Sequence, residues 1–269
     1  MKKIFALMLG TMIISMSAFG AYASEEAASV DGIEFSEDGE VVMGDYSTIT
    51  LNQELIDVSD DTVDGYIDTM STDLAAAYSD IYPEAPQITD DIIAEYSEMY
   101  FGTQLDTVDA AKAFIKETLY SQSYRAAFFT ELLSLAEIVS YPQAEYEMTT
   151  EYAENEIAYY AAAASLTEDE MAQKSGFESA ADFVSQEAKS LVANALIFDK
   201  ILDDLGIECT QEEIDTALAD YMVEQGLGTA DELEAFKESA GETWMWLFTE
   251  TQYKAGVVYD ALQDRVVVE

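Results

Sequence analysis

The second half of the chain alternates helix-starting and helix-ending signals, and this punctuation constrains the fold more than any other feature of the sequence. Four times a hydroxyl residue stands three positions before an acidic residue, a pattern that satisfies the unpaired N–H groups of a helix start. A glycine then follows each start where a helix end is expected. The four start and stop pairs are Thr167 and Gly176, Ser179 and Gly206, Thr210 and Gly226, and Thr229 and Gly241. They predict a succession of helices.

Apolar residues recur at spacings of three and four in the rest of the region after residue 58, which also predicts helices. Ser59 and Thr89 are expected to cap two of them, and Gly102 is expected to end the second. The predicted helices outside the four punctuated ones are 59–82, 89–101, 107–139, 142–164 and 243–265. In the helix that starts at Ser179, one apolar stripe predicts a packing seam. Its members are Val184, Ala188, Leu191, Ala195, Phe198, Leu202 and Leu205.

Residues 24–58 have a different character, with β-prone runs separated by turn residues. The pair Asp38-Gly39 stands between two such runs, and both residue types tolerate the positive φ of a tight turn. A third β-prone run covers residues 46–51. We therefore expect a small β-hairpin or short sheet here, and the alternative is a flexible acidic leader without fixed structure. The predicted fold class is mainly α with this small N-terminal β element.

The N-terminus has the three parts of a secretory signal peptide. Lys2 and Lys3 precede an uncharged, apolar stretch over residues 4–20, and Ala21-Tyr22-Ala23 offers the small residues of a cleavage site. The alternative is an uncleaved membrane anchor. We expect a signal peptide at 1–23, a β-containing segment at 24–58 and a helical domain at 59–269. The expected location is secreted or extracytoplasmic, without stable membrane insertion after cleavage.

The acidic excess limits the partners. Residues 1–23 hold two of the 11 basic residues and none of the 55 acidic ones, so their removal would leave a net charge of −46. A surface of that sign repels nucleic acids and anionic lipids, and neither is expected as a partner. Hydrophobic residues make up 49% of the chain and aromatic residues 12%, which is enough to build a core. The charge therefore does not indicate disorder.

The chain contains no histidine and one cysteine, Cys209, which leaves no Ser-His or Cys-His nucleophile pair. No enzymatic activity, cofactor or metal is expected. A calcium-responsive protein remains an alternative because acidic residues cluster near one helix start. They are Asp57, Asp60, Asp61, Asp64 and Asp68. The calcium-loop template requires glycine at its sixth position, where this chain has Thr62, and a cluster of this kind is more often a solvated helix start.

Residues 87–262 resemble the C-terminal chaperone domain of trigger factor. The motifs that carry the resemblance are Ile88-Thr89-Asp90-Asp91, Asp106-Thr107-Val108-Asp109, Tyr141-Pro142 before an arm helix, and the run 206–214. Upstream, Gly44-Asp45-Tyr46 and the run 58–63 resemble the family's lead into its prolyl-isomerase domain. Only about ten residues separate Tyr78 from Ile88, where the family carries that domain. The resemblance thus implies helical arms without prolyl-isomerase or ribosome-binding domains.

This resemblance implies an ATP-independent holdase for unfolded or nascent exported proteins. An alternative is a helical adaptor of the cell envelope that binds one dedicated partner; no oligomeric state is predicted. A holdase exposes apolar and amphipathic side chains. The candidate client-binding residues are Tyr152, Tyr159, Tyr160, Met171, Trp244, Trp246 and Phe248. The competing interpretation is that these side chains pack the core, as large apolar residues usually do.

Overall fold

The computed structural model describes residues 33–269, so the predicted signal peptide and the first residues of the 24–58 segment lie outside the described part. The described chain is mainly helical with a small sheet of short strands, which confirms the predicted fold class. It divides into two compact units. One comprises residues 33–49 and 129–266, and the other comprises residues 50–128 and 267–269. The boundaries between the units fall after residues 49, 128 and 266.

The strands are β1 (Phe35–Ser36), β2 (Glu40–Met43), β3 (Ile49–Leu51), β4 (Ala136–Pro142) and β5 (Val266–Val268). Three of them form one sheet in the order β1-β4-β2, and β3 pairs with β5. β4 runs parallel to β1 and antiparallel to β2. The predicted short sheet is therefore present, but its central strand comes from a distant part of the chain.

The sheet corrects two details of the sequence interpretation. Gly39 has the expected positive φ of 71°, yet β1 and β2 are separated by β4 and do not form a hairpin. Residues 136–139, predicted as the end of a long helix, belong to β4. Ile138 and Val139 are β-branched and fit a strand, and pairing on both sides satisfies the backbone of β4.

The unit of residues 50–128 contains α1 (Gln53–Ile56), α2 (Asp60–Ala77), α3 (Asp90–Phe101) and most of α4 (Val108–Ser134). Ser59 caps α2 as predicted, since its side chain accepts a hydrogen bond from the N–H of Thr62 at 3.1 Å. Gly102 ends α3 in the left-handed conformation. The helices enclose one apolar core. Its buried members are Val63, Ile67, Met70, Leu74, Ile93, Tyr96, Ala111 and Ile115.

The unit of residues 33–49 and 129–266 contains the end of α4 and the remaining helices. These are α5 (Gln143–Ala164), α6 (Glu168–Lys174), α7 (Ala180–Leu205), α8 (Gln211–Glu224), α9 (Leu233–Leu247) and α10 (Lys254–Leu262). A π-helical turn (Phe248–Tyr253) joins α9 to α10, and single 3₁₀ turns cover Ala230–Glu232 and Gln263–Arg265. Among residues 33–269, no helix combines the length and the apolar character needed to cross a lipid bilayer.

The predicted helix starts are found with the expected hydrogen bonds. Thr167 and Thr210 form reciprocal capping boxes with the glutamates three positions later, and Ser179 caps α7 through the N–H of Asp182. Gly206 ends α7 in the left-handed conformation. Gly241, with a φ of 82° and a ψ of 168°, breaks α9 into two helical segments, at the position where the sequence predicts one helix to end before the last one begins.

Candidate functional site

Three of the seven candidate client-binding residues lie on α5 and are brought together there. Tyr152 and Tyr160 are half-buried, whereas Tyr159 is 62% exposed. The rings of Tyr159 and Tyr160 contact each other edge to face, with their centroids 5.4 Å apart. Tyr152 precedes Tyr160 by eight residues, so the two lie on the same side of the helix. We call Tyr152, Tyr159 and Tyr160 the tyrosine surface.

The α5 helix is held by close packing on α7. One stripe of α5 is buried: Thr149, Ala153, Ile157 and Ala161. The alanines of this stripe permit a close approach to α7, and the Thr149 hydroxyl lies 3.5 Å from the carbonyl oxygen of Ala188. On α7 the predicted seam is buried at Ala188, Leu191, Ala195, Phe198 and Leu202. The tyrosine surface therefore lies on a rigid helix rather than on a loop.

Two glutamates lie within this interface, and sequence analysis did not single them out. Glu187 on α7 is only 8% exposed, and Glu156 on α5 stands midway between Tyr152 and Tyr160. Burial, followed by the charge of Glu156, raises the pKa of Glu187 to about 8. Burial raises the pKa of Glu156 to about 7. Glu187 lies three residues after Val184 and four before Leu191, so it borders the predicted seam, and this position indicates burial.

These groups form one electrostatic cluster. Burial first, then Glu156 and Glu187, raise the pKa of Tyr152. Burial, then Glu156 and Tyr159, raise the pKa of Tyr160. Both carboxyl groups hold protons well above the pH at which free glutamates lose them, and a protonated carboxyl donates a hydrogen bond that a carboxylate cannot. Below about pH 7 the cluster thus offers neutral donors and acceptors beside the exposed ring of Tyr159.

The aromatic residues near the C-terminus form a separate packed cluster. The rings of Trp244 and Phe248 stack at 5.6 Å, and Tyr221 and Phe236 also contact Trp244. Phe248 is 4% exposed and packs with Ile214, Leu218 and Met222 of α8. Its side chain lies in the interior of this unit. Trp244 and Trp246 on α9 and Met171 on α6 are half-buried.

A partly buried group of ion pairs connects α7 to the helical region after Phe248. The Lys254 ammonium group bonds to the carboxylates of Asp199 and Glu250. Lys254 is 15% exposed at its side chain and Glu250 is 17% exposed. Burial raises the pKa of Glu250, and the hydrogen bond and charge of Lys254 oppose this rise. Lys254 therefore neutralises a carboxylate that the fold removes from water.

Two of the five aspartates in the acidic cluster at 57–68 form ion pairs between helices of the other unit. Asp60 and Asp64 on α2 pair with Lys116 and Lys112 on α4, at 2.8 Å and 2.5 Å. Within residues 33–269, no group of three or more His, Cys, Asp or Glu side chains is arranged to hold a metal ion. These aspartates thus connect two helices.

Comparison with protein-family models, with curated proteins and with solved structures gave no match for this chain.

Proposed function

We propose that this protein is an extracytoplasmic, ATP-independent holdase that binds unfolded exported proteins at the tyrosine surface of α5. The observation that carries the proposal is the exposure of Tyr159, a large aromatic side chain, beside Tyr160 on a helix fixed by α7. A tyrosine ring has apolar faces and a polar hydroxyl, so it binds varied segments without requiring one sequence. The resemblance to the trigger factor chaperone domain supports the same role.

Charge supports this proposal. Residues 126–173, which include all of α5, contain no Lys or Arg, and Glu151 and Glu154 on α5 are exposed. An acidic surround keeps a complex with an unfolded chain in solution through mutual repulsion between complexes. It also attracts clients that carry positive charge. The tyrosine surface thus combines apolar contact with a charged surround.

The test is aggregation of several unrelated unfolded proteins, followed by light scattering with and without residues 24–269 of this chain. We expect near-stoichiometric suppression for several clients. Replacement of Tyr159 and Tyr160 by Ser should reduce the suppression severalfold. Tyr66→Ser is the matched control, because Tyr66 is an exposed tyrosine on α2 in the other unit, and this variant should act like the unsubstituted protein.

Failure to suppress any client would overturn the holdase proposal. Suppression of a single client only would favour the adaptor with one dedicated partner. If the Tyr159→Ser and Tyr160→Ser variants suppress aggregation as well as the unsubstituted protein, the holdase activity stands but its binding site is not on α5. Circular dichroism of each variant establishes that the helices are intact before these results are compared.

A further inference from the structure

The three-stranded sheet presents a second apolar surface, which the sequence did not predict. Phe35 of β1 pairs with Tyr141 of β4, and Val42 of β2 pairs with Glu137. The pairing of β2 with β4 shifts register between Glu40 and Val41, so strict alternation does not extend along β4 to Tyr141. Val42, its partner Glu137 and Val139 are all exposed, and we call the side of the sheet that these three residues form the outer sheet face.

The outer sheet face is open to solvent, since Val42 is 51% exposed and Val139 39%. Phe35 on β1 is also 46% exposed, but its ring contacts that of Tyr146 on α5, which contacts Tyr141 as well. Ser140 and Pro142 of β4 are buried. The Ser140 hydroxyl forms a 2.8 Å hydrogen bond with that of Ser36. Apolar groups exposed side by side on neighbouring strands favour the binding of another apolar surface.

The charges around this face have one sign. Acidic residues in its strands and turns are exposed: Glu34, Glu37, Asp38, Glu40 and Glu137. Neither residues 33–111 nor residues 126–173 contain a Lys or Arg, so the three strands and their turns carry no positive charge. A partner that places apolar side chains on the face and basic side chains at its margin satisfies both features.

The sheet also has an edge at which a partner strand fits. β2 is an outer strand, paired with β4 on one side in the described chain, and it is longer than β1. An extended peptide that adds to an edge strand gains backbone hydrogen bonds and places alternate side chains on the face. Val42, on β2 itself, lies where such a peptide would make its first apolar contact.

We propose that the outer sheet face and the edge of β2 bind an extended polypeptide segment in which apolar residues alternate with Lys or Arg. The proposal rests on the proposed function, because it names the class of client segment that a holdase of this charge selects. It places that binding on the sheet, as a site distinct from the tyrosine surface. Segments with Asp or Glu at the alternate positions are excluded by repulsion from Glu40 and Glu137.

Fluorescence anisotropy with two labelled heptapeptides tests this directly. One alternates Val and Lys and the other alternates Val and Glu. We expect the lysine peptide to bind at least about tenfold more tightly, a difference of about 1.4 kcal/mol, and its affinity to fall as salt rises. Val42→Ser and Val139→Ser should each weaken binding severalfold. Val223→Ser on α8 is the matched control, since Val223 is similarly exposed, and it should leave affinity unchanged.

Equal affinity for both peptides, or unchanged affinity in the two sheet variants, would overturn the proposal. Hydrogen exchange is the second measurement, and the lysine peptide should slow exchange of the β2 amides in the unsubstituted protein. If the protein binds the lysine peptide but does not suppress aggregation, the holdase proposal is wrong and the peptide site on the sheet stands. Suppression by a protein that does not distinguish the peptides would overturn only the sheet site.

Discussion

Glu156 on α5 lies close enough to Glu187 on α7 that its charge raises the pKa of Glu187, in the same direction as the burial of Glu187 does. The two carboxyls lie in the interface that fixes the tyrosine surface. The stability of that interface is therefore coupled to pH in a direction that can be worked out from the two pKa values.

The unit of residues 33–49 and 129–266 should lose stability as pH rises from about 4.5 to about 8. The pKa of Glu187 is about 8 in the folded chain, against an ordinary value of 4.5. The unfolded chain therefore ionises first, and stability that is complete below pH 4.5 is lost as pH rises through 8. Glu187→Gln should remove much of this dependence and stabilise the protein at pH 9 by roughly 3 kcal/mol.

Urea unfolding at several pH values, followed by tryptophan fluorescence, measures this effect. Both tryptophans, Trp244 and Trp246, belong to this unit, so the signal reports on it specifically. Glu154→Gln is the control, because Glu154 is exposed on α5, the helix that carries Glu156, and its variant should keep the full pH dependence. The assignment fails if Glu187→Gln retains that dependence. A titration of labelled glutamate side chains by NMR gives the two pKa values independently.

Lys254→Met should destabilise the same unit by about 3 kcal/mol, because it leaves the largely buried Glu250 carboxylate without its cation. The double variant Lys254→Met with Glu250→Gln should recover part of the loss, since the uncompensated charge is then absent. Urea unfolding of the four proteins gives the coupling energy. Losses that simply add in the double variant would contradict the assigned role of Lys254.

Gly39→Ala should cost about 3 kcal/mol through two effects. An added Cβ would lie 2.6 Å from Cδ of Pro142 and 2.9 Å from Cδ2 of Leu196, and φ at this position is +71°. Gly206→Ala is the matched control, because its φ is +66° and nothing lies within 4 Å of the added carbon. It should cost only about 1 kcal/mol. Equal costs by urea unfolding would show that crowding at Gly39 contributes nothing.

Thr210→Ala should lower the melting temperature of this unit by about 3 °C. The Thr210 hydroxyl accepts a hydrogen bond from the N–H of Glu213, and the Glu213 carboxylate accepts one from the N–H of Thr210. The substitution removes the first bond and weakens the start of α8. Thr216→Ala, on the exposed side of the same helix, should shift the transition by less than about half as much. A larger shift for Thr216→Ala would argue against the cap.

Helix starts were predictable because their determinants are local. Ser59 and Thr210 bond to backbone groups three residues away, so the sequence at each start contains the whole interaction. The burial of Glu187 was partly predictable, since this residue borders the apolar seam of α7. The extent of its burial also depends on the small alanine side chains of α5, and the sequence around residue 187 gives no information about that helix.

β4 was not predictable from its own neighbourhood. Ala136 and Val139 continue the apolar spacing of α4, and the strands that pair with β4 stand about a hundred residues earlier in the chain. The exposed side of the sheet could not be found for the same reason, since the pairing of β2 with β4 places Val42 opposite Glu137 and close to Val139. The α5 tyrosines were identified as candidates from residue type alone. Which of them is exposed depends on how α5 packs on α7, and the sequence of α5 does not show this.

The separation between Ser36 and Ser140, 104 residues apart and joined by a hydrogen bond, has a consequence for the order of folding. At a synthesis rate of about 5–20 residues per second, β1 and β2 exist for about 5–20 seconds before β4 is made. During that interval Phe35 and Val42 have no central strand, and their unpaired edges are open to other chains. A protein proposed to keep other chains from aggregating thus has its own unpaired strands exposed to aggregation during its synthesis.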